Sequence, residues 1–278
     1  MNSQTDSQPL TSNKRFITSI QSRGGLGKST LSSLLIEWYQ YAGVPFKAVD
    51  SDSEHHTLKN RYPDNTNLFD ARKSMDAFGV MLDRLPDSPV VLVDFPAQFT
   101  SHFMEYSTHY RLLDTLERKA FRVTLFIFTS NDEEARRSAA DLVEYFGESA
   151  DYVMIDNPKN FQSDEFKRTG LFKLLCKLQS PLIEMPEISG VSKNFWEDLE
   201  EKESKPLSIS QVIAHRACST VAHFELSGIK DLMFRQLEDA AKYLVSDLRL
   251  IKGKVTRVGD TKPSHRSSRF NNPLFAKS

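Results

Sequence analysis

The sequence predicts a doubly wound α/β fold, in which a mostly parallel β-sheet carries helices on both faces. Short runs rich in β-branched and aromatic residues recur along the chain, and most are separated by segments of helical period or length. Several runs are almost continuously apolar, as expected for strands that helices cover on both faces. The predicted strands are Phe16–Ile20, Phe46–Val49, Val90–Val93, Val123–Phe128, Tyr152–Ile155 and Leu182–Met185.

The predicted helices follow from apolar residues that recur at helical spacing. In the last helix, apolar side chains recur at steps of three and four residues, which places them in one stripe along the helix. The stretch from Ser53 to Asp87 shows neither pattern clearly. The predicted helices are Lys28–Ala42, His102–Lys119, Glu133–Phe146, Asp164–Leu178, Lys193–Glu203 and Leu226–Ile251.

The composition is that of a soluble globular protein. The chain has 278 residues, 39% of them apolar and 26% charged, so it can bury one large core. Its net charge of −1 does not by itself favour nucleic acid as a partner. Cys176 and Cys218 lack CxxC spacing and predict neither a zinc site nor a disulfide. This cysteine usage favours a reducing cytoplasm. Because no run approaches the roughly 20 apolar residues of a membrane-spanning helix, we also expect a soluble protein.

One structured domain is expected, with an extension at each end. Residues 1–13 are polar without an apolar run, which predicts a disordered leader. Residues 253–278 contain Pro, Gly and Ser among basic residues, which predicts a basic flexible tail. The domain itself is therefore predicted over residues 14–252.

A glycine-rich turn joins the first predicted strand to the first predicted helix. Residues 22–30 read Ser-Arg-Gly-Gly-Leu-Gly-Lys-Ser-Thr, the pattern of a phosphate-binding P-loop. Glycines let backbone N–H groups approach phosphates closely, and the helix N-terminus adds partial positive charge. We predict that ATP binds here with Mg²⁺: Lys28 contacts the β- and γ-phosphates, Ser29 the metal and Thr30 the α-phosphate. The predicted cofactor-binding residues of the loop are Gly24, Gly25, Leu26, Gly27, Lys28, Ser29 and Thr30.

A second acidic element belongs with this loop. The apolar run Val90–Val93 ends in Asp94, and a phosphate site needs a metal-facing carboxylate at the end of a neighbouring strand. An ordinary turn and a helix-capping aspartate would explain each feature separately. The combination of strand, loop and acid-ended strand favours Asp94 as a Walker B metal ligand.

Four short motifs resemble the ParA/MinD family of positioning ATPases. Arg23–Thr30 resembles the deviant Walker A box of that family, and Asp50-Ser51-Asp52 resembles its first switch. Asp94-Phe95-Pro96 resembles its second switch, and Met185-Pro186 its late element near the base. The resemblance covers residues 15 to about 190. It implies an ATPase with a P-loop NTPase fold.

The resemblance also implies roles for individual residues. Asp52 would activate water, with Lys28 and Arg23 as the other catalytic residues. Asp50 would support the metal or the switch, although a carboxylate pair after a strand also caps loops. Arg23 stands where the family has a lysine that reaches the partner's phosphates in an ATP-sandwich dimer. It can bind phosphate there, or face solvent or pair locally.

Two further residues are predicted at the base. Asn157 follows the predicted strand Tyr152–Ile155 and would contact the adenine edge, although Asn157-Pro158 equally predicts a turn. Pro186 carries the same two interpretations. The site prediction is therefore firmest at the phosphates and open at the base.

The C-terminal end is basic although the chain as a whole is neutral. Arg235, Lys242 and Arg249 recur every seven residues, which would place them on one face of the last predicted helix. With Lys252 and Lys254 they predict a surface for nonspecific DNA. The alternative is a solvated face with local ion pairs. Residues 270–275 contain too few apolar side chains for a membrane-binding helix, so no membrane partner is expected.

The resemblance implies a slow, partner-stimulated ATPase that forms an ATP-dependent homodimer and binds nonspecific DNA at the nucleoid. A cargo adaptor, either ParB-like or from a protein organelle such as a carboxysome, would trigger hydrolysis and so position or segregate a plasmid or organelle. A conjugation-associated ParA-like ATPase, a small-molecule kinase or ligase similar to dethiobiotin synthetase, and a non-hydrolysing nucleotide-gated interaction protein remain open as alternatives.

Overall fold

The computed structural model describes residues 14–52, 56–158 and 163–252. These residues form one seven-stranded sheet in which every neighbouring pair of strands runs parallel. The predicted doubly wound α/β fold is confirmed. Across the sheet the order is β3-β2-β4-β1-β5-β6-β7. In chain order the strands are β1 (Lys14–Ser19), β2 (Phe46–Asp50), β3 (Thr66–Leu68), β4 (Val90–Asp94), β5 (Phe121–Phe128), β6 (Ala150–Asp156) and β7 (Leu182–Glu184).

Helices cover both faces of the sheet. One apolar core lies between the strands and helices that include α1, α10 and α11, and a second lies under α3, α4, α5 and α6. The helices are α1 (Lys28–Ala42), α2 (Thr57–Arg61), α3 (Met75–Asp83), α4 (Thr100–His109), α5 (Leu112–Arg118), α6 (Glu133–Phe146), α7 (Ser163–Lys167), α8 (Gly170–Lys177), α9 (Gly190–Glu203), α10 (Ile209–Ala214), α11 (Thr220–Asp239) and α12 (Ala241–Leu244).

The two cores explain the apolar strands. Successive side chains of a strand point to opposite faces of the sheet. Phe16 and Val91 accordingly belong to one core, whereas their neighbours Ile17 and Leu92 belong to the other. Both faces of a central strand therefore need apolar residues, and the strand appears in the sequence as an unbroken apolar run.

The stretch from Ser53 to Asp87 contains α2, β3 and α3 in its described part. The strand β3 has three residues and α2 has five, and neither is long enough to show a period. The helix α3 begins at an N-cap, Ser74, whose side chain accepts a hydrogen bond from Ala77 N.

The predicted helix Leu226–Ile251 is wrong in its second half. Helix α11 ends at Asp239, and only the short α12 and a 3-10 turn over residues 248–250 follow. Carbonyl groups of α12 and of Val245 accept hydrogen bonds from side chains of the sheet and of α1, and these bonds hold the segment after α11 against the domain, where it does not continue that helix. The bonds are Arg15 Nη2 to Lys242 O (2.7 Å), Thr124 Oγ1 to Tyr243 O (2.6 Å), Tyr39 Oη to Leu244 O (2.8 Å) and Arg15 Nε to Val245 O (3.3 Å).

Two other predicted helices are interrupted. The segment His102–Lys119 divides into α4 and α5 at Arg111, whose φ of 47° is left-handed. The segment Asp164–Leu178 divides into α7 and α8 at Thr169, whose side chain accepts a hydrogen bond from Phe172 N as an N-cap. Periodicity continues through such breaks, so it does not reveal them.

An ionic cluster closes the amino end of the sheet, where the strands begin. The Asp151 carboxylate accepts hydrogen bonds from Arg122 Nε (2.8 Å) and Nη2 (2.7 Å), and also from Arg15. Burial raises the pKa of Asp151, but the hydrogen bonds from Arg122 and Arg15 outweigh that effect and hold the pKa below its usual range. We call Arg15, Arg122 and Asp151 the amino-end cluster.

Candidate functional site

The carboxyl end of the sheet brings the predicted site residues together. Strand β4 lies between β1 and β2, with Ser19 and Asp50 both in register with Asp94. The loop after β1 and the acids that end β2 and β4 therefore meet at one edge. In open parallel sheets this edge, where the strand order reverses, is the usual place for a ligand.

The loop between β1 and α1 has the backbone of a phosphate cradle. Gly25 has a φ of 74° and Gly27 a φ of 100°, both left-handed. A Cβ atom on Gly27 would lie 2.7 Å from Asn157 Nδ2, so a side chain is excluded there on two grounds. Helix α1 begins at Lys28 without a side-chain cap, which leaves its first N–H groups for an anion.

The start of the loop is fastened to its neighbours on both sides. Gln21 is fully buried. Its side-chain amide accepts a hydrogen bond from Phe128 N and donates to Phe128 O (2.9 Å) and Ala135 O (3.1 Å). Thr100 donates a hydrogen bond to Ile20 O and accepts one from Ser22 Oγ (2.9 Å). The loop is thereby tied to β5, to α6 and to the first turn of α4.

Lys28 lies inside the cradle. Its Nζ donates to Gln21 O and to Arg23 O, each at 3.0 Å, and the residue is buried. Burial lowers the pKa of Lys28, while the nearby charges of Asp94 and Asp52 oppose the shift. The ammonium group is therefore held by neutral carbonyls, in a position to exchange them for phosphate oxygens.

Asp94 is the most strongly perturbed acid of the site. Burial raises its pKa to about 6, opposed by a hydrogen bond from Ser29, while the charge of Asp50 raises it further. Ser32 Oγ also donates to Asp94 Oδ1 at 3.2 Å. Ser29 and Asp94 are in contact, so these two predicted metal ligands fit a magnesium ion that takes its other ligands from phosphate and water.

Asp50 has the capping role that the sequence analysis left open as an alternative. Its carboxylate accepts backbone hydrogen bonds from Asp52 N (3.1 Å), Leu58 N (2.9 Å) and Lys59 N (3.0 Å). It therefore caps the first turn of α2. Asp52 is partly exposed, and its charge acts on Lys28.

Asn157 and Pro186 meet in a cleft beside α1. Asn157 Nδ2 donates to Leu26 O at 2.9 Å, which holds the amide against the P-loop. The cleft opens next to Thr30, and α9 forms its far wall. We call it the base cleft; it is lined by Thr30, Arg61, Asn157, Met185, Pro186, Glu187, Ile188, Lys193, Trp196, Glu197 and Glu200.

Arg23 points away from the loop. Its side chain is 56% exposed, and its Nε lies 3.7 Å from Asp132 Oδ2 at the start of α6. This is the local pairing that the sequence analysis left as one of two possibilities. Exposed pairs of this kind contribute less than about 1 kcal/mol, so the side chain is free to find a stronger partner.

The predicted single basic face is wrong because α11 ends before Lys242. Arg235 lies on α11, Lys242 on α12 and Arg249 in the following turn, where Arg249 pairs with Asp247 at 2.6 Å. Lys252 N donates to Ala42 O at the end of α1. Lys252 therefore lies about 20 Å from the P-loop, roughly the length of α1. Lys254 and the predicted leader and tail lie outside the described residues.

Sequence reasoning missed three polar residues that build the site. Gln21 comes just after β1, Thr100 begins α4, and Ser32 lies one helical turn after Ser29. A helical projection would have found Ser32, because residues three apart share a face. The partners of Gln21 and Thr100 lie about 80 to 115 residues away, and no local pattern reveals them.

Among the described residues, no group of three or more His, Cys, Asp or Glu side chains could hold a metal ion. None of the described helices is long and apolar enough to cross a bilayer.

Comparison with known proteins gives likenesses of fold. No protein-family model and no curated protein matches the sequence. The MinD cell division protein of Aquifex aeolicus is 15% identical, with a TM-score of 0.46 over 81% of this chain and 97% of that one. A ParA family ATPase of Chlorobium tepidum TLS is 13% identical, with a TM-score of 0.40 over 77% and 99%. Chloroplast FtsY of Physcomitrella patens is 15% identical, with a TM-score of 0.43 over 66% and 61%.

The chain's own geometry carries the assignment of its class. A strand, a glycine loop with left-handed glycines and a helix that begins at a buried lysine stand at the carboxyl end of a parallel sheet. The chain has the α/β fold and the phosphate loop of a P-loop protein.

Proposed function

We propose that this chain is a ParA-like ATPase that binds ATP with Mg²⁺, dimerises and is reset by slow hydrolysis. The observation that carries the proposal is the arrangement of Lys28, Ser29 and Asp94 around one glycine loop. A buried cation beside a helix start that has no side-chain cap suits a polyphosphate, and a buried acid bonded to a hydroxyl suits its metal ion.

Each residue has a definite task in this proposal. The N–H groups of residues 24–30 and Lys28 Nζ bind the phosphates, and Ser29 and Asp94 hold the magnesium ion. When bound, the ion would neutralise the negative charge that develops on the phosphates during transfer. Asp52 orients and deprotonates the attacking water, and Asp50 supports the switch by holding α2.

Adenine is proposed to lie in the base cleft, between Asn157 and Pro186. Asn157, whose amide donates to Leu26 O beside the P-loop, would contact the base edge. The choice of ATP over GTP rests on this contact. Replacing Asn157 by Ala should therefore weaken ATP binding more than it weakens binding of inorganic triphosphate.

Dimerisation requires Arg23 to leave Asp132. The pair is weak and half exposed, so a phosphate presented by a second copy would compete well for the guanidinium group. Nonspecific DNA is proposed to bind the ATP dimer through Arg235, Lys242, Arg249, Lys252 and Lys254, with a ParB-like or organelle adaptor stimulating hydrolysis. This activity would place the protein at the nucleoid in the cytoplasm.

Light scattering with and without ATP tests the proposal, with Asp52→Ala used to slow hydrolysis. We expect a monomer that becomes a dimer with ATP and is then retained on nonspecific duplex DNA. Lys28→Ala should abolish nucleotide binding, whereas Lys177→Ala, at an exposed lysine of α8, should leave it unchanged. A molecular mass and a DNA affinity that do not change when ATP is added would contradict the proposed switch. Near-normal ATP turnover by Asp52→Ala would show that Asp52 is not a catalytic residue.

A further inference from the structure

The loop that follows Asp94 runs beside the P-loop. It comprises residues 95–99, between the end of β4 and the first residue of α4. A Cβ atom built on Gly24 would lie 3.9 Å from Ala97 Cβ, so the two loops approach each other to van der Waals distance. We call residues 95–99 the flanking loop. Because this loop begins at Asp94, its path bears on the geometry around the proposed metal ion.

One peptide group of the flanking loop is held from both sides. Ala97 O accepts a hydrogen bond from Arg72 Nη2 at 2.6 Å, and Gln98 N donates to Ser22 O at 2.9 Å. The carbonyl of Ala97 and the N–H of Gln98 belong to the same peptide unit, in which they point in opposite directions. Arg72 on one side and the P-loop on the other therefore fix the orientation of this unit.

The orientation is a strained one. Gln98 has a φ of 61°, in the left-handed region that is disfavoured for a residue with a Cβ atom. Rotation of the Ala97–Gln98 peptide would return Gln98 to a negative φ, but it would break both hydrogen bonds. Strain of this kind persists only where the surroundings hold it, and it concentrates at functional sites. The two bonds to the peptide supply that hold.

The backbone that carries Arg72 is fixed in turn. Arg72 N donates to Asp70 Oδ1 at 3.1 Å, and Ala71 is fully buried, with its N donating to Ser51 Oγ at 3.3 Å. Ser51 itself donates through its N to Asp94 O at 2.9 Å. Arg72 therefore extends a hydrogen-bonded framework that begins at the ends of β2 and β4 and reaches the flanking loop.

The other side of the peptide leads to Lys28. Lys28 Nζ donates to Gln21 O and to Arg23 O, the carbonyls before and after the one that accepts from Gln98 N. A phosphate that takes Lys28 from these carbonyls changes the surroundings of Ser22. The Ala97–Gln98 peptide thus lies between the phosphate-binding lysine and Arg72.

We infer that Arg72 is a positioning residue for hydrolysis, which keeps the Ala97–Gln98 peptide in its strained orientation against the P-loop. Arg72 acts through the flanking loop and does not touch the nucleotide. Its effect on turnover rests on the proposed ATPase function. Its hold on the peptide is a property of the nucleotide-free protein and is tested separately.

Amide hydrogen exchange, measured by NMR on the nucleotide-free protein, tests the hold on the peptide. Arg72→Ala should speed the exchange of the Gln98 amide about three- to tenfold, the effect of one lost hydrogen bond. The Arg72 side chain is exposed, so this variant should fold. Lys73→Ala, at the exposed neighbouring residue, should leave the exchange rate unchanged. An unaltered exchange rate in Arg72→Ala would overturn the inference.

ATP turnover tests the positioning role. Arg72→Ala should lower kcat about three- to tenfold and change the dissociation constant of ATP by less than about twofold, because the phosphate-binding groups are intact. Arg72→Lys should lose less, since an ammonium group can still donate to Ala97 O. Lys73→Ala should have the turnover of the unaltered protein. A loss of ATP affinity as large as the loss of kcat would overturn the inference, because it would show general damage to the site.

A second substitution at Gln98 separates positioning from general damage. Glycine adopts a left-handed φ without the cost of a Cβ atom, so Gln98→Gly should recover most of the kcat that Arg72→Ala loses. Gln98→Ala keeps the Cβ atom and should recover none. Absence of recovery with glycine, or equal recovery with alanine, would overturn the inference. If the unaltered protein neither binds nor hydrolyses ATP, the proposed function fails, while the exchange of the Gln98 amide still decides whether Arg72 holds the peptide.

Discussion

The two ends of the sheet use buried charge in opposite ways. At the amino end, Asp151 is bonded to two arginines, and the three charges satisfy one another. At the carboxyl end, Lys28 bonds two carbonyls and Asp94 bonds two serine hydroxyls. Within the described residues neither Lys28 nor Asp94 forms an ion pair.

The difference separates a structural site from a binding site. Charges that neutralise one another stabilise the fold and leave nothing for a ligand. Charges that are buried among neutral groups raise the energy of the empty protein, and a ligand of the right charge recovers that energy. This comparison can be tested by removing one acidic charge at each end. The removal should destabilise the protein at the amino end of the sheet and stabilise the nucleotide-free protein at the carboxyl end.

The largest effect is expected at the amino end. Asp151→Asn should destabilise the protein by about 3 kcal/mol, because two partly buried arginines lose their counter-charge. Since the pKa of Asp151 is lowered on folding, its contribution is present above the unfolded pKa and is lost as the pH falls through the folded one. Chemical denaturation of both proteins from neutral pH downwards should show the difference shrink in acid.

Asp87→Asn is the control at the same end of the sheet. Asp87 pairs with Lys14 at 2.6 Å, but its side chain is 94% exposed, so no measurable change in stability is expected. Equal losses from the two substitutions would contradict the structural role of the amino-end cluster.

The next effect has the opposite sign. Asp94→Asn should stabilise the nucleotide-free protein by about 2 kcal/mol at neutral pH, because burial raises the pKa of Asp94 to about 6. With the folded pKa raised, the stability that Asp94 contributes is full below the unfolded pKa and is lost as the pH rises through about 6. Urea denaturation across this pH range, with a metal chelator present, measures the effect. The plots of stability against pH for the two proteins should converge in acid.

Asp198→Asn on the exposed face of α9 controls for the change in net charge. It should leave stability unchanged at every pH. If Asp94→Asn instead destabilises the protein at neutral pH, the Asp94 carboxylate stabilises the fold and is not held in the folded protein for metal binding.

A smaller effect concerns DNA at the amino end. Changing Arg249 and Lys252 to Glu should weaken ATP-dependent DNA retention and lower the slope of log affinity against log salt by about 0.9 for each lost phosphate contact. Nucleotide affinity should not change, because these residues lie at the far end of α1 from the loop. Filter binding over a range of salt concentrations measures both quantities, and an unchanged slope would limit the amino end to a structural role.

The smallest effect concerns Arg23. Asp132→Asn keeps the side-chain cap of α6, since an amide oxygen can replace the carboxylate oxygen that accepts from Ala135 N. Stability should change by less than about 0.5 kcal/mol, because the ion pair is half exposed. ATP-dependent dimerisation should become tighter by light scattering, since Arg23 is released. Weaker dimerisation would show that Asp132 helps to position Arg23.

The sequence predicted the strands and the P-loop well, and the C-terminal helix poorly, for one physical reason. The loop of residues 22–30 and the run that ends at Asp94 are local patterns, visible in a few consecutive residues. The short α12 that follows α11 is held in place by hydrogen bonds from Arg15, Tyr39 and Thr124, which are more than 100 residues away. The amino-end cluster is likewise assembled only by the fold.

The anchoring of the loop by Gln21 and Thr100 has a kinetic consequence. Because the cradle is already folded, a nucleotide that arrives need not order the backbone, and little conformational entropy is lost on binding. Association should then be fast and similar among variants of the loop, and differences in affinity should appear in the residence time of the nucleotide. The lifetime of the nucleotide-bound state, and not the rate of nucleotide binding, would determine how long such a switch stays on.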